Sequence, residues 1–148
     1  MKNIWDERFM QMAEFVSNWS DCIREERKIG AVVASGKNLI SIGFNSAPEG
    51  IKTCAERGEC IRKQFQIESG TRQEICYTLC AEQNAIFDAV KSGRDLSNAT
   101  IYITHTPCAI CARWIIKSGI KRIVYHAEYT DKFSLQLLTE AGIKLDKI

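Results

Sequence analysis

Apolar residues recur with helical spacing in some segments of this chain and form short continuous runs in others. Residues 4–21 have helical spacing, which predicts a first helix. Its buried stripe is expected to consist of Phe9, Met12, Ala13, Val16 and Trp19. Two runs rich in β-branched residues, 29–34 and 39–44, flank the polar, glycine-containing segment 35–38. This arrangement predicts a β-hairpin.

The second half of the chain alternates between strand and helix patterns. Helical spacing covers residues 79–91, 108–118 and 130–141. Short apolar runs cover residues 99–104, 121–125 and 143–148. Strand–helix–strand units place their strands parallel in one sheet, so we expect at least three parallel strands, to which the hairpin adds an antiparallel one. The sequence therefore predicts an α/β fold.

Residues 53–77 interrupt this regular order. The segment is dense in charge and contains three cysteines, and its only helical candidate is the short stretch 61–67. We interpret it as an insertion held together by something other than an apolar core. With 148 residues and no linker, the chain is expected to form one domain, 1–148.

The composition narrows the classes of function. Twenty basic and 18 acidic residues leave a net charge of +2, too near balance for a dedicated polyanion-binding protein. Neither an apolar leader nor a run of about 20 apolar residues is evident, so we expect a cytoplasmic protein without a membrane partner. Seven cysteines in such a compartment are better interpreted as metal ligands than as disulfides.

Two short motifs carry the chemistry. Cys80 is followed two residues later by Glu82, and Pro107 precedes Cys108 and Cys111. Three thiolates can hold Zn²⁺ and leave a fourth position open for water, as in the nucleobase deaminases. Glu82 would then serve as the acid–base group. The alternative is a small buried cysteine beside a solvated glutamate.

Several segments, in order, resemble the cytidine/deoxycytidylate deaminase family, and most of all its deoxycytidylate (dCMP) branch. The similar segments are Trp5-Asp6 with Phe9-Met10, 28–33, 43–48, 80–86, 101–104, 107–112, 119–125 and Tyr129. The resemblance implies a three-layer α-β-α fold with a five-stranded mixed sheet and helices on both faces. It also implies zinc-dependent hydrolysis of an exocyclic amine, with dCMP converted to dUMP and ammonia.

The resemblance also assigns roles to residues. The zinc ligands would be Cys80, Cys108 and Cys111, and the proton shuttle would be Glu82. Substrate contacts would come from Asn45, the Ala81 backbone N–H and Tyr129. Arg27 and Lys28, just before the first strand, are candidates for a phosphate. The alternatives are a turn role for Asn45 and solvated surface charges for Arg27 and Lys28.

The remaining cysteines suggest a second metal site. Some dCMP deaminases hold a structural zinc, and Cys22 and Cys54 match the positions of two of its ligands. Cys60 and Cys76 would then replace the usual histidines. The alternative is that these four are unrelated free thiols. The resemblance also implies a homo-oligomer, a dimer or a hexamer.

Other functions stay open at this point. Cysteine at position 80 departs from the histidine usual in dCMP deaminases, so the substrate could be another cytosine nucleoside or nucleotide. Deamination of a tRNA base is a further alternative, although no basic tail favours it. A non-catalytic zinc scaffold is the last, and the presence of Glu82 argues against it.

Overall fold

The structure is a computed structural model that describes residues 3–129 and 131–148. Within these residues, six helices and five strands follow one another. The helices are α1 (Ile4–Ser17), α2 (Cys54–Arg57), α3 (Ile61–Gln64), α4 (Ala81–Lys91), α5 (Ala109–Ser118) and α6 (Lys132–Glu140). The strands are β1 (Gly30–Ser35), β2 (Asn38–Phe44), β3 (Thr100–His105), β4 (Arg122–Ala127) and β5 (Lys144–Lys147). A short 3₁₀ turn covers Glu25–Arg27.

The strands form one mixed sheet in the order β2-β1-β3-β4-β5. β1 is antiparallel to both β2 and β3, whereas β3, β4 and β5 are parallel. The hairpin and the parallel strands are therefore as predicted. The predicted three-layer α/β fold is confirmed.

Alternating side chains of the strands point to two separate cores. On one face, Val32 and Tyr102 pack against Phe9 and Met10 of α1. On the other face, Val33 and its neighbours pack against α4, α5 and α6. Because side chains alternate along a strand, central strands covered on both faces appear as continuous apolar runs.

Two glycines let helices lie unusually close to the sheet. A Cβ atom on Gly30 would stand 1.9 Å from the Ala13 carbonyl oxygen in α1. A Cβ atom on Gly43 would stand 2.2 Å from the Ala81 carbonyl oxygen in α4. The absence of a side chain at Gly43 therefore sets how closely the start of α4 approaches β2.

The first helix differs from its prediction. α1 ends at Ser17 instead of residue 21, and Trp19 is 51% exposed. The buried stripe instead includes Met10 and Asp6. Asp6 is buried because Arg122 donates two hydrogen bonds of 2.8 Å to its carboxylate, and the Tyr102 hydroxyl donates another. Periodicity could not reveal this pairing, since its partners lie far away along the chain.

The other boundaries differ from the predicted ones by a few residues. The predicted start of the last helix, residue 130, lies outside the described residues. Within the predicted insertion, the short helix ends at Gln64, not at residue 67, and α2 begins with a capping box between Thr53 and Glu56. Among the helices that the structure describes, none is long and apolar enough to cross a membrane.

Candidate active site

The start of α4 supplies the first predicted ligand. Cys80 is the N-cap residue of this helix, and the Gln83 side chain accepts a hydrogen bond of 2.9 Å from the Cys80 backbone N–H. Asn84 donates to the Phe44 carbonyl oxygen at 2.8 Å, which ties the helix to the end of β2. A bridge between Ser46 and Leu79 fixes the chain just before it. The position of Cys80 is therefore determined by hydrogen bonds at the helix start.

The start of α5 supplies the other two. Cys108 is the N-cap residue of α5, and Cys111 lies fully buried in its first turn. The Asp131 carboxylate accepts from the backbone N–H of Ala109 at 2.9 Å and from that of Ser134 at 3.0 Å. Asp131 thereby joins the starts of α5 and α6.

The three sulfurs converge. In the described residues, 3–129 and 131–148, the only group of three or more candidate ligand atoms within 4.8 Å of one another is that of Cys80, Cys108 and Cys111. Tetrahedral Zn–S bonds of about 2.3 Å would put sulfurs roughly 3.8 Å apart, so the arrangement fits this ion. Soft thiolate donors also favour zinc over magnesium or calcium.

Of these three thiols only Cys108 is polarised towards its thiolate, because a hydrogen bond with Cys108 first, and burial as well, raise the pKa of Cys80 and of Cys111. The pKa of Cys108 lies well below its usual range, first because the Cys111 side chain hydrogen-bonds to its sulfur and then because that of Cys80 does. The backbone N–H groups of Cys111 and Ile110 act in the same direction. A helix start stabilises negative charge, so the fold favours a thiolate here.

Glu82 lies in the first turn of α4 and is only 4% exposed. Burial raises its pKa to about 7, and the nearby charge of Cys108 adds to the shift. A carboxyl group with a pKa near neutrality can both accept and release a proton at physiological pH. The predicted acid–base group therefore lies beside the thiol cluster, shielded from bulk solvent.

A cavity opens onto this cluster, and Asn45 and Ala81 are among the residues that line it. The Asn45 side chain accepts from the Ile29 backbone N–H at 2.9 Å and donates to the Arg27 carbonyl oxygen at 2.7 Å. Asn45 thus clamps the segment before β1, a role close to the alternative of a turn residue. Its contact with substrate stays a prediction.

The lining of the cavity also includes Arg27 and Tyr129. The Arg27 guanidinium lies 5.5 Å from the centre of the Tyr129 ring. Lys28 instead forms an ion pair of 3.0 Å with Glu25 and is not among the residues that line the cavity. Of the two predicted phosphate contacts, only Arg27 is therefore placed to face a ligand.

The other four cysteines line the same cavity. The pKa of Cys54 is raised to about 11, first by burial and then by the neighbouring charges of Cys76, Cys22 and Cys60. The four are thus near one another, although no three of their sulfurs, all in described residues, come within 4.8 Å. Cys76 hydrogen-bonds to the Thr78 hydroxyl at 3.0 Å. The second metal site stays a prediction.

The sequence analysis missed several residues that position this site. Gln83 could have been found, because a glutamine three residues after an N-cap is typical of a capping box. Asp131 lies at the second position of the predicted helix 130–141, and an aspartate near a helix start is a typical N-cap residue. Gln73 and Arg62, both in the irregular segment, carried no local signal.

Comparisons with known proteins agree with this geometry. Residues 3–127 match the model of the cytidine and deoxycytidylate deaminase zinc-binding region. Deoxycytidylate deaminase of Schizosaccharomyces pombe is 36% identical over 142 residues, which are 95% of this chain and 43% of that protein. Deoxycytidylate deaminase of Mycobacterium phage D29 is 36% identical over 128 residues, which are 84% of this chain and 95% of the relative.

A solved structure is similar over the whole chain. It is that of dCMP deaminase from the cyanophage S-TIM5 in complex with dCMP and dUMP, with a TM-score of 0.79 and 27% identity. The similarity covers 100% of this chain and 99% of the phage chain. In contrast, this chain spans less than half the length of the fission yeast relative.

Proposed function

Because the chain belongs to the cytidine and deoxycytidylate deaminase family, we propose that it hydrolyses dCMP to dUMP and ammonia. The observation that carries this proposal is the convergence of three cysteine sulfurs beside the buried carboxyl group of Glu82. The relatives named above support dCMP as the substrate.

The chain's own residues account for binding the metal and moving the proton. Cys80, Cys108 and Cys111 would hold a zinc ion, which supplies Lewis-acid activation of the attacking water. The Glu82 carboxylate would take the two protons of that water in turn and pass them on, the first to the ring nitrogen and the second to the leaving amine. Water adds at C4 and ammonia leaves, so the reaction needs no other reactant.

The substrate would occupy the cavity that the thiol cluster, Arg27 and Tyr129 all line. The Ala81 N–H lies at the first position of α4, where it has no partner within the helix and can donate to the pyrimidine edge. Arg27, above the Tyr129 ring, is the proposed contact for the 5′-phosphate. A guanidinium binds phosphate oxygens with two parallel hydrogen bonds, which favours nucleotides over nucleosides.

Ammonia release from a panel of compounds tests this proposal. The panel contains dCMP, CMP, dCTP, deoxycytidine, cytidine and tRNA. We expect the highest kcat/KM with dCMP. Activity on nucleosides but not on their 5′-phosphates would assign another substrate to the site, and activity on tRNA alone would assign a nucleic-acid editing enzyme. A folded, zinc-loaded chain that deaminates none of them would support a non-catalytic scaffold.

We further propose a structural zinc held by Cys22, Cys54, Cys60 and Cys76. The proximity of these thiols and their position in short or irregular segments support it. A closed four-cysteine site is a common structural zinc site and can hold a poorly packed segment together. Metal analysis is expected to give two zinc ions per chain, and one ion would contradict this second site.

Three wider predictions remain for experiment: one domain over residues 1–148, a homo-oligomer (a dimer or a hexamer) and a cytoplasmic location. Two exposed aromatic side chains on neighbouring helices, Phe87 and Trp114, support the oligomer, with ring centres 6.4 Å apart. Light scattering of the purified chain measures the number of subunits.

A further inference from the structure

Arg62 is a buried cation in the irregular segment. It lies in α3 and is only 7% exposed. Its guanidinium donates to backbone carbonyl oxygens of Arg72 and Thr71, each at 2.5 Å, and of Glu68 and Ile75, at 3.2 and 3.3 Å. Burying a charge costs free energy unless hydrogen bonds satisfy it. The four hydrogen bonds therefore indicate that the Arg62 side chain has a specific structural role.

The four carbonyl groups belong to one loop, residues 68–75, which we call the Arg62 loop. Two of its residues have left-handed backbone conformations, Gly70 with φ of 84° and Arg72 with φ of 47°. Such a conformation is unfavourable for arginine and persists where the surroundings hold it in place. The guanidinium of Arg62 lies at the centre of this loop and takes the place of an apolar core.

The Arg62 loop forms part of the wall of the substrate cavity. Ser69, Gly70 and Gln73 all line it. The Gln73 amide donates a hydrogen bond of 2.7 Å to the Tyr129 hydroxyl. The loop therefore reaches across the cavity to the residue over which Arg27 lies.

Tyr129 is also tied to the metal-binding side of the site. The Thr106 hydroxyl accepts from the Tyr129 backbone N–H at 2.6 Å and donates to the Tyr129 carbonyl oxygen at 3.1 Å. Thr106 stands two residues before Cys108. Without Gln73, the backbone of Tyr129 would stay anchored, but its ring would lose the contact that holds its outer end.

We propose that Arg62 and Gln73 are positioning residues that set the affinity of the site for its nucleotide. Arg62 shapes the loop, Gln73 holds the Tyr129 ring, and that ring supports Arg27 against the phosphate. This inference rests on the proposed function, since it assigns Arg27 to the substrate. Neither residue touches the reacting atoms, so their loss raises KM and leaves kcat nearly unchanged.

Steady-state deamination of dCMP by the full chain tests this inference. Gln73→Ala is expected to raise KM about tenfold, the equivalent of one good hydrogen bond, with kcat within about twofold of wild type. Tyr129→Phe removes the acceptor of the same bond. The double variant should therefore be little worse than Gln73→Ala alone, which additive effects would not produce.

Arg62→Lys has a matched control outside the cavity, at Arg94 just after α4. Lysine keeps the charge but cannot bind four carbonyl groups in the planar geometry of a guanidinium, so KM should rise by about tenfold or more. Arg94→Lys makes the same substitution on an exposed side chain that does not line the cavity, and it should leave KM unchanged. Titration with dUMP should show weaker binding in parallel with KM.

The outcomes separate this inference from the proposed function. An active wild type whose Gln73→Ala variant keeps its KM, or loses kcat alone, overturns the inference and leaves the proposed function intact. If Arg62→Lys fails to fold, Gln73→Ala and the double variant still decide. If the wild type deaminates another compound of the panel instead of dCMP, the variants are measured with that compound. If the wild type deaminates none of the six compounds, both proposals are overturned.

Discussion

Two groups of cysteines lie on the walls of one cavity, and they are built in opposite ways. The thiol cluster of Cys80, Cys108 and Cys111 lies at the starts of two helices that pack on the sheet. The second group comes from loops and from two helices of four residues each. The sulfurs of the first group converge within 4.8 Å, whereas no three of the second group do.

This difference shows which contacts hold each group of cysteines in position before a metal ion binds. Gly43, Gln83 and Asp131 fix the two helix starts without any help from a metal ion. In the second group, a capping box fixes the start of α2 at Cys54, but Cys22 and Cys76 lie outside helices and strands. The proposed structural zinc would supply the remaining constraint on these thiols. We therefore expect the first group to persist without metal and the second to need it.

The largest expected effect is on the reaction at the thiol cluster of Cys80, Cys108 and Cys111. Glu82→Gln removes the proton shuttle, and we expect ammonia release to fall about 10³-fold while bound zinc is retained. Glu140→Gln, at the exposed end of α6, is the matched control and should stay within about twofold of wild type. Loss of zinc together with activity in Glu82→Gln would make Glu82 a structural residue.

The next prediction contrasts the two groups directly. Cys111→Ser should lose one zinc ion and at least about 10²-fold in activity, because the activating metal is gone while the helix starts remain. Cys54→Ser should also lose one zinc ion but keep most of its activity.

The cost of Cys54→Ser should appear in stability instead, as a fall in Tm of about 5 °C. Metal analysis, ammonia release and calorimetry measure the three quantities. Equal losses of activity in both variants would remove the distinction between the groups.

A smaller effect is expected when a side chain is added at Gly43, where α4 packs on the sheet. In Gly43→Ala the new methyl group would meet the Ala81 carbonyl oxygen at 2.2 Å and the Ala85 nitrogen at 2.5 Å. Displacing α4 from the sheet should lower the free energy of unfolding, measured in urea, by about 2–3 kcal/mol. It should also weaken zinc binding at Cys80.

Gly36→Ala provides the comparison for that substitution. It meets nothing within 4 Å and has only an unfavourable φ of 58°, which costs about 1 kcal/mol. Equal losses of stability in the two variants would show that contact with α4 is not the cause.

The smallest expected effect is the loss, at acidic pH, of the stability that Asp6 contributes. The pKa of Asp6 is lowered, first by hydrogen bonds from Arg122 and also by the Tyr102 hydroxyl. Since the folded pKa lies below the unfolded one, this stabilisation is complete above the unfolded value and is lost as pH falls through the folded value.

Urea unfolding across this pH range measures that contribution. Asp6→Asn should destabilise the chain by about 2 kcal/mol at pH 7 and by progressively less in acid. An Asp6→Asn penalty that does not shrink as pH falls would show that this ion pair does not stabilise the sheet.

Much of the sheet and of the long helices could be predicted from local sequence patterns. Short continuous apolar runs indicated the five strands of the described residues, helical spacing indicated the four long helices, and their order along the chain indicated three parallel strands. The motif Cys80-Ala81-Glu82 and the pair Cys108 and Cys111 indicated the thiol cluster, because each begins a recognisable helix. These features depend on neighbours within a few residues, and a sequence displays such neighbours directly.

Other features depend on contacts between distant parts of the chain. Trp19 was predicted to be buried because the pattern continued past Ser17, but only the packing of α1 on the sheet decides which face is covered. The pairing of Asp6 with Arg122 and the clamp of Asn45 on the segment before β1 also join distant segments.

The amino-acid sequence by itself thus determined the α/β fold, the thiol cluster and the acid beside it. Only the tertiary structure brought the Arg62 loop to Tyr129 and placed both cysteine groups around one cavity. The physical reason is that periodicity and capping act within a few residues. Which loops meet across a cavity depends on strand order and on how the helices cover the sheet.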